Sequence, residues 1–263
     1  VTIVAIGQFY PGLNKKSNFE VVATLVREAS SRQAKVIALP EYSLFCAPSM
    51  DDRFVDSAES LDGPFVTALQ TLAQETDITI VCGFNEIAEP GHRISNTLVA
   101  VGNDGNLVAV YRKLHLFDAF GYKESDKVRP GDIEAPQLFA VDGLKYGLQT
   151  CYDVRFPEVT RRIVDAGADV LLLPAAWVPG PLKEDHWTTL IRARAIENTI
   201  YVAASDQSAP GGAGGSIIVD PMGVVIAGLG ETTGISTAQV TATRIAGVRQ
   251  ANPALELRRF AVT

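Results

Sequence analysis

Continuous apolar runs alternate along this chain with stretches in which apolar residues recur every three or four positions. The runs predict strands buried on both faces; the spaced stretches predict amphipathic helices. Val1 to Phe9 is such a run. Lys16 to Gln33 carries Phe19, Val22, Leu25 (or Val26) and Ala29 at helical spacing. Ala34 to Pro40 is a second run, and Glu41 follows it directly. Leu61-Asp62-Gly63-Pro64 opens a helix that runs to Thr76, with Pro64 suited to its first turn. Ile78 to Phe84 is the next strand. Asn96 to Val101 and Leu107 to Arg112 form a hairpin around Asn103-Asp104-Gly105.

The order then recurs. Leu144 to Thr150 is a strand that ends at Cys151, and a helix from Arg155 to Ala166 follows, with Pro157 in its first turn. Val170 to Pro174 is a buried strand, Leu182 to Asn198 a helix and Ile200 to Ser205 a strand. Ser216 to Val219 and Val224 to Ala227 form a hairpin; a strand from Ile235 to Val240 precedes a last helix and a tail. Val36-Ile37-Ala38-Leu39-Pro40 therefore matches Val170-Leu171-Leu172-Leu173-Pro174, and Ile78 to Phe84 matches Ile200 to Ser205. The pattern predicts an α/β fold of two similar halves packed sheet to sheet with helices outside, a four-layer α-β-β-α sandwich. One domain over residues 1–263 accommodates it. Glu41 and Cys151 sit at equivalent strand ends, where α/β proteins open a cleft.

Composition narrows the function. Hydrophobic residues make up 47% of the 263, enough for a sizeable core, and the net charge of −7 argues against nucleic acid or an anionic membrane as partner. The longest apolar stretches are too short to span a bilayer, and Val1 to Phe9 lacks the basic flank of a signal peptide. Cys46, Cys82 and Cys151 show no C-x-x-C spacing, and His92, His115 and His186 form no ligand pair. The expectation is a cytoplasmic protein with no metal and no cofactor.

Three segments carry chemistry. Leu39-Pro40-Glu41-Tyr42 puts a carboxylate at a strand end, and Tyr111-Arg112-Lys113-Leu114 puts a lysine where a strand leaves the sheet. Cys151 occupies a strand-to-helix turn, where helix N–H groups are expected to favour thiolate. A base for the thiol proton, a cation for a tetrahedral oxyanion and a sulfur nucleophile are what acyl transfer from an amide requires.

With these segments the chain resembles the nitrilase superfamily of carbon–nitrogen hydrolases, marked by Glu, Lys and Cys in that order. The resemblance covers nearly the whole chain: Pro40-Glu41, Tyr111 to Asp118, Cys151 to Glu158, His186-Trp187 and Arg192 to Asn198. The His-Leu-Phe-Asp and Arg-Phe-Pro-Glu pieces are most similar to the Nit-type amidase branch. The resemblance implies Glu41 as general base, Lys113 as oxyanion cation, Cys151 as nucleophile and the Tyr152 N–H as second oxyanion donor. It implies that Glu124 orients Lys113 and the substrate nitrogen. It further implies hydrolysis of a small linear amide through a thioester, ω-amidase-like or deaminated-glutathione-amidase-like. Short-chain aliphatic amides and N-carbamoyl amides come next, then transfer of the acyl group to an amine; a non-catalytic binding protein on the same fold is the opposing class. Association into at least a homodimer is implied, through Leu182 to Asn198 and the tail at 251–263.

Other residues carry plainer alternatives. Cys46 and Cys82 read as inert packing. Glu86 is either a strand-end cap or a cleft residue. His115 reads as a hydrogen-bonded structural histidine. Arg155 either pairs with Asp153 or Glu158 or binds a substrate carboxylate, the former favoured. Arg192 and Arg194 read as helix packing or a subunit contact. Tyr42, Tyr122, Trp177 and Phe120 are candidate pocket aromatics, at least one of them only core. Gly211 to Gly215 precedes a strand, so it reads as a turn and not a phosphate cradle.

Overall fold

Two sheets face each other across an apolar layer. The computed structural model describes residues 1–88 and 93–262; His92 lies outside them. The first half runs β1 (Thr2–Gln8), α1 (Lys15–Ser31), β2 (Val36–Ala38), α2 (Asp52–Asp56), α3 (Pro64–Thr76), β3 (Thr79–Ile87), β4 (Ile94–Val101) and β5 (Leu107–Arg112). The short strands β6 (Val128–Arg129) and β7 (Phe139–Val141) lead into the second half. That half runs β8 (Leu144–Leu148), α4 (Pro157–Asp165), β9 (Val170–Pro174), α5 (Lys183–Asn198), β10 (Tyr201–Ser205), β11 (Ile217–Val219) and β12 (Val225–Gly228). β13 (Gly234–Val240) and α6 (Ala242–Ala251) complete the order.

The first sheet reads β13-β1-β2-β3-β4-β5, with β6 beside β4; the second reads β12-β11-β10-β9-β8-β7. Within them β1-β2-β3-β4-β5 and β8-β9-β10-β11-β12 have the same order and sense: two parallel steps, then two antiparallel ones. The internal repeat is thus real in three dimensions. β13 returns to the first sheet antiparallel to β1.

Alternation along each strand explains the continuous apolar runs. Val36 and Ala38 of β2 face the layer between the sheets, as do Val170 and Leu172 of β9 and Tyr201 and Ala203 of β10. Ile37 and Leu39 point outward onto α1 and α3. Leu171, Leu173, Val202 and Ala204 point outward onto α4 and α5. Period-2 alternation with both faces covered requires apolar residues at every position. The four-layer α-β-β-α sandwich is therefore as predicted.

Three short elements went unpredicted, α2, β6 and β7, each too brief to show a period. The helix expected from Arg155 is two pieces: a 3-10 turn at Cys151–Arg155 and then α4, with Pro157 at its first position. Pro64 likewise opens α3. The glycine segment is a turn, in which Gly214 and Gly215 both have φ of 66° and the Gly215 N–H donates to the Gly230 carbonyl. Among the described residues no helix is long and apolar enough to cross a membrane.

The parallel strands end on one side, and the turn after β2 is braced there by β3. The Ser43 N–H donates to the Gly83 carbonyl at 2.8 Å. A Cβ at Gly83 would stand 2.7 Å from Glu41 Cα and 2.9 Å from the Pro40 oxygen, so backbone rather than a movable side chain fills that space. Gly83→Ala is expected to lower stability by about 1–3 kcal/mol and to reduce catalytic activity by displacing Glu41. Urea denaturation and activity assays check this; wild-type stability and activity together would contradict the bracing role.

Candidate active site

Glu41 leaves β2, Lys113 leaves β5 and Cys151 leaves β8, and the fold brings all three to one cavity. Its volume is about 390 Å³. Glu41 and Lys113 are buried to within 2% of complete exclusion, and so is Glu124, which opens a 3-10 turn at Glu124–Asp126.

Lys113 Nζ lies 2.8 Å from Glu41 Oε1 and 2.9 Å from Glu124 Oε2. Burial works against the ammonium, yet the two carboxylates hold its pKa well above the ordinary lysine value. Glu124 is equally buried, and Lys113, with the Phe117 N–H and the Tyr42 hydroxyl, holds its carboxyl below the usual range. The Tyr42 hydroxyl donates to Glu124 Oε1 at 2.7 Å, and the Phe117 N–H to Oε2 at 2.6 Å. Asn96 Nδ2 bridges the carboxylates, 2.5 Å from Glu41 Oε1 and 3.1 Å from Glu124 Oε1. The other Glu41 oxygen, Oε2, accepts the Ala176 N–H at 2.6 Å, and Gln207 Nε2 donates to the Glu41 carbonyl. One carboxylate is thereby fixed at both oxygens and at its backbone.

Cys151 has φ of 45° and Tyr42 has φ of 58°. Side-chain-bearing residues adopt this left-handed region at a cost of about 1–2 kcal/mol. Tyr42 follows Glu41 directly and Cys151 is itself the nucleophile candidate, so each of the two strand ends carries one such residue. The first bonded N–H of the turn is that of Asp153, which donates to Thr150 O at 3.0 Å. The Cys151 and Tyr152 N–H groups precede it, so the turn itself offers them no acceptor.

The pull of the turn's N–H groups toward thiolate, expected at Cys151, does not prevail there. Burial raises the thiol well above its ordinary pKa, and the Glu41 carboxylate raises it further. Lys113 and the Ala176 N–H pull the other way without prevailing. A five-residue turn contributes too little dipole to offset burial beside two carboxylates. At neutral pH the sulfur carries its proton and needs a base to remove it.

Tyr42, Tyr122, Arg155 and Trp177 all line the cavity; Phe120 does not, and is 70% exposed. Arg155 pairs with neither Asp153 nor Glu158, so the carboxylate pairing expected for it is not made. Asp153 is committed elsewhere: it accepts from the Tyr111 hydroxyl at 2.6 Å and the His115 N–H at 2.8 Å, and lies 2.7 Å from His115 Nδ1. His115 also stacks on Phe156 at 3.6 Å, as a structural histidine would. The Arg155 guanidinium instead lies 4.8 Å from the Trp177 ring centre. Arg194 Nε donates to the Val154 carbonyl, holding the segment after Cys151, while Arg192 Nε donates to Gly223 O.

Cys46 packs against the core as expected, and it also reaches the cavity. It is half-buried and lines the cavity, although burial pushes its thiol up to about 11. Cys82 packs in the core as expected. Glu86 does not reach the cavity; it is buried against Arg112, with contacts of 2.6 Å to Nε and NH2. Sequence reasoning missed Asn96, Ala176, Gln207 and Lys183. The only sequence signals were the polar run Ser95-Asn96-Thr97 within β4 and the polar run Asp206-Gln207-Ser208 after β10. Among the described residues no group of three or more His, Cys, Asp or Glu side chains is placed to hold a metal ion.

Known proteins share this arrangement of chain. The carbon–nitrogen hydrolase family model matches residues 3–250. A deaminated glutathione amidase of Escherichia coli O157:H7 is 42% identical over 259 residues, covering 98% of each chain. The deaminated glutathione amidase of Mus musculus is 35% identical over 273 residues, covering 98% of this chain and 83% of its own. The crystal structure of Saccharomyces cerevisiae Nit3, a member of branch 10 of the nitrilase superfamily, superposes with a TM-score of 0.86 at 29% identity, covering 98% of this chain and 97% of Nit3.

Proposed function

The chain belongs to the carbon–nitrogen hydrolase family, and from that premise we propose that it hydrolyses a small linear amide to the carboxylic acid and ammonia or an amine, with Glu41, Lys113 and Cys151 as the catalytic residues. The observation that carries the reading is that one cavity is lined by the Cys151 thiol and by a carboxylate fixed by Lys113, Asn96 and the Ala176 N–H. The deaminated glutathione amidases among its relatives support an activity of that kind, or an ω-amidase-like one.

The chemistry divides into two halves. Glu41 takes the Cys151 proton as the sulfur attacks the amide carbonyl carbon. Lys113 and the Tyr152 N–H stabilise the oxyanion. The tetrahedral intermediate collapses with cleavage of the C–N bond, and the nitrogen leaves with the proton held by Glu41. A thioester remains on Cys151. Water then enters, Glu41 accepts its proton, the C–S bond breaks and the acid departs as the proton returns to sulfur. Glu124 orients Lys113 and the substrate nitrogen. Tyr42, Tyr122, Arg155 and Trp177 bind substrate, and the Tyr42 hydroxyl also holds Glu124. The site of action is the cytoplasm.

Brief mixing with an amide panel and intact mass spectrometry tests the reading. A transient acyl adduct on wild type, absent in Cys151→Ala, is expected, together with a loss of at least about 10³-fold in kcat for Glu41→Gln. Turnover by Cys151→Ala at the wild-type rate would end the mechanism.

The protein also associates at least as a homodimer through α5 and the tail. Support comes from the tail beyond α6, whose Arg258 is anchored to Asp165 at 2.7 Å while Leu257 and Phe260 are 72% and 93% exposed. Light scattering at micromolar concentration is expected to return at least twice the chain mass of 28.1 kDa; a single-chain mass would contradict association.

A further inference from the structure

One wholly buried carboxyl beside the cavity has no part in the proposed chemistry. Asp206 follows β10 directly. Trp177 and Gln207 line the cavity, and Asp206 lies outside its lining. Asp206 Oδ1 accepts the Trp177 backbone N–H at 2.6 Å. Oδ2 is buried with no hydrogen-bond partner among the described residues. A carboxylate ion left with a bare oxygen in the interior is costly, and a neutral carboxyl is less so. Burial pushes the Asp206 carboxyl well above the ordinary range, against the pull of the Trp177, Gln207 and Ala213 N–H groups, and the Glu41 carboxylate pushes it further. At neutral pH the side chain is an uncharged acceptor.

The ladder between β9 and β10 explains why an acceptor stands here. The last register pair is Pro174 with Ser205, and the Ala175 N–H donates to the Ser205 carbonyl at 2.7 Å. In a parallel ladder the next N–H to point the same way is that of Trp177, and its acceptor would be the Gln207 carbonyl. That carbonyl has turned into the following loop and accepts the Gly214 N–H at 3.0 Å. The Asp206 side chain takes its place and adds one rung beyond the backbone pairing. Asp206 is itself held. Its N–H donates to Ser216 Oγ at 2.8 Å, and that hydroxyl donates to Gln8 Oε1 at 2.7 Å. Gln8, at the end of β1, is tied in turn to the Gly230 and Thr232 carbonyls, both at 2.8 Å.

Between the two anchored N–H groups lies the one that the active site uses. The Ala176 N–H donates to Glu41 Oε2 at 2.6 Å and pulls the Cys151 thiol toward thiolate. Ala175 is fixed on Ser205 and Trp177 on Asp206. Without the second anchor the Ala176–Trp177 peptide can turn, and a donor shared by carboxylate and sulfur loses its direction. Gln207 Nε2 also donates to the Glu41 carbonyl at 2.9 Å. Residues 206 and 207 therefore reach Glu41 twice, once through the Ala176 N–H and once through its backbone.

We propose that Asp206 is a positioning residue: as acceptor for the Trp177 N–H it aims the Ala176 N–H at Glu41 and Cys151, and so governs the rate of bond cleavage without touching substrate. The effect on rate rests on the hydrolase reading above; the aim of the N–H does not.

The test compares three variants. Asp206→Asn keeps the shape and an acceptor oxygen. Asp206→Ala removes the acceptor. Asp206→Leu removes it while filling the space, and serves where thermal denaturation shows the alanine variant unfolded. On the best amide of the panel, loss of the acceptor is expected to lower kcat by about 10- to 100-fold with KM within about threefold, and Asp206→Asn to stay within about threefold of wild type. Iodoacetamide alkylation at about pH 7, followed at the Cys151 peptide by mass spectrometry, is expected to slow about 10-fold without the acceptor and to recover in Asp206→Asn. Wild-type kcat or wild-type alkylation without the acceptor, an equal loss in Asp206→Asn, or a loss confined to KM overturns the proposal. Acceptor-dependent alkylation with no amide turned over by wild type leaves the positioning role standing and removes the hydrolase. Amide turnover with kcat and alkylation indifferent to Asp206 does the reverse.

Discussion

A single buried ammonium sets the terms for everything around it. Lys113 is 2% exposed, and an ion so far from water must be matched where it stands. Glu41 and Glu124 match it, and their own remaining lone pairs are met by Asn96, Ala176, Phe117 and Tyr42. Removing one member of such a set leaves a buried charge unmatched, a change worth about 3–5 kcal/mol. The cluster therefore cannot relax into another arrangement cheaply. That rigidity keeps one carboxylate positioned beside the sulfur.

The surrounding fold follows from the need to deliver these groups from separate strands. Glu41 follows β2 and Cys151 follows β8, which match β9 and β1 in the repeat and so are not equivalent to one another; it is the facing of the two sheets that places base and nucleophile at one mouth. Both strand ends hold a residue in left-handed backbone, Tyr42 and Cys151. Packing between the sheets, by Val36, Ala38, Leu148, Val170 and Leu172 among others, supplies the rigidity that maintains this strain. Burial has a second consequence, since it keeps the sulfur protonated and makes the neighbouring carboxylate necessary.

Much of this was legible in the sequence because it depends on period. The buried strands β2 and β9 are apolar at every position and β1 and β10 at most of theirs, and the repeat of strand and helix order exposed the two halves. The order Glu41, Lys113, Cys151 was legible because each follows a strand, and Glu124 through resemblance. What stayed hidden depends on contacts between segments distant in sequence. Asn96 reads as an ordinary hairpin residue until β4 places it between two glutamates. Ala176 contributes only a backbone N–H, to which its side chain gives no clue. The protonation state of Cys151 is decided by burial, which the turn containing it does not reveal. Arg155 had carboxylates nearby in sequence, but Asp153 is taken by Tyr111 and His115, leaving the guanidinium to the cavity.

The claim at the centre is that Cys151 rests as a neutral thiol and depends on Glu41 for its deprotonation. Thiolate absorbance near about 240 nm, taken as the difference between wild type and Cys151→Ala across pH, measures it directly. No Cys151 thiolate signal is expected at neutral pH, the band emerging only above the ordinary thiol range of about 8.5. A full thiolate band at about pH 7 would contradict it, because the sulfur would then be a preformed ion and Glu41 would have no proton to take from it.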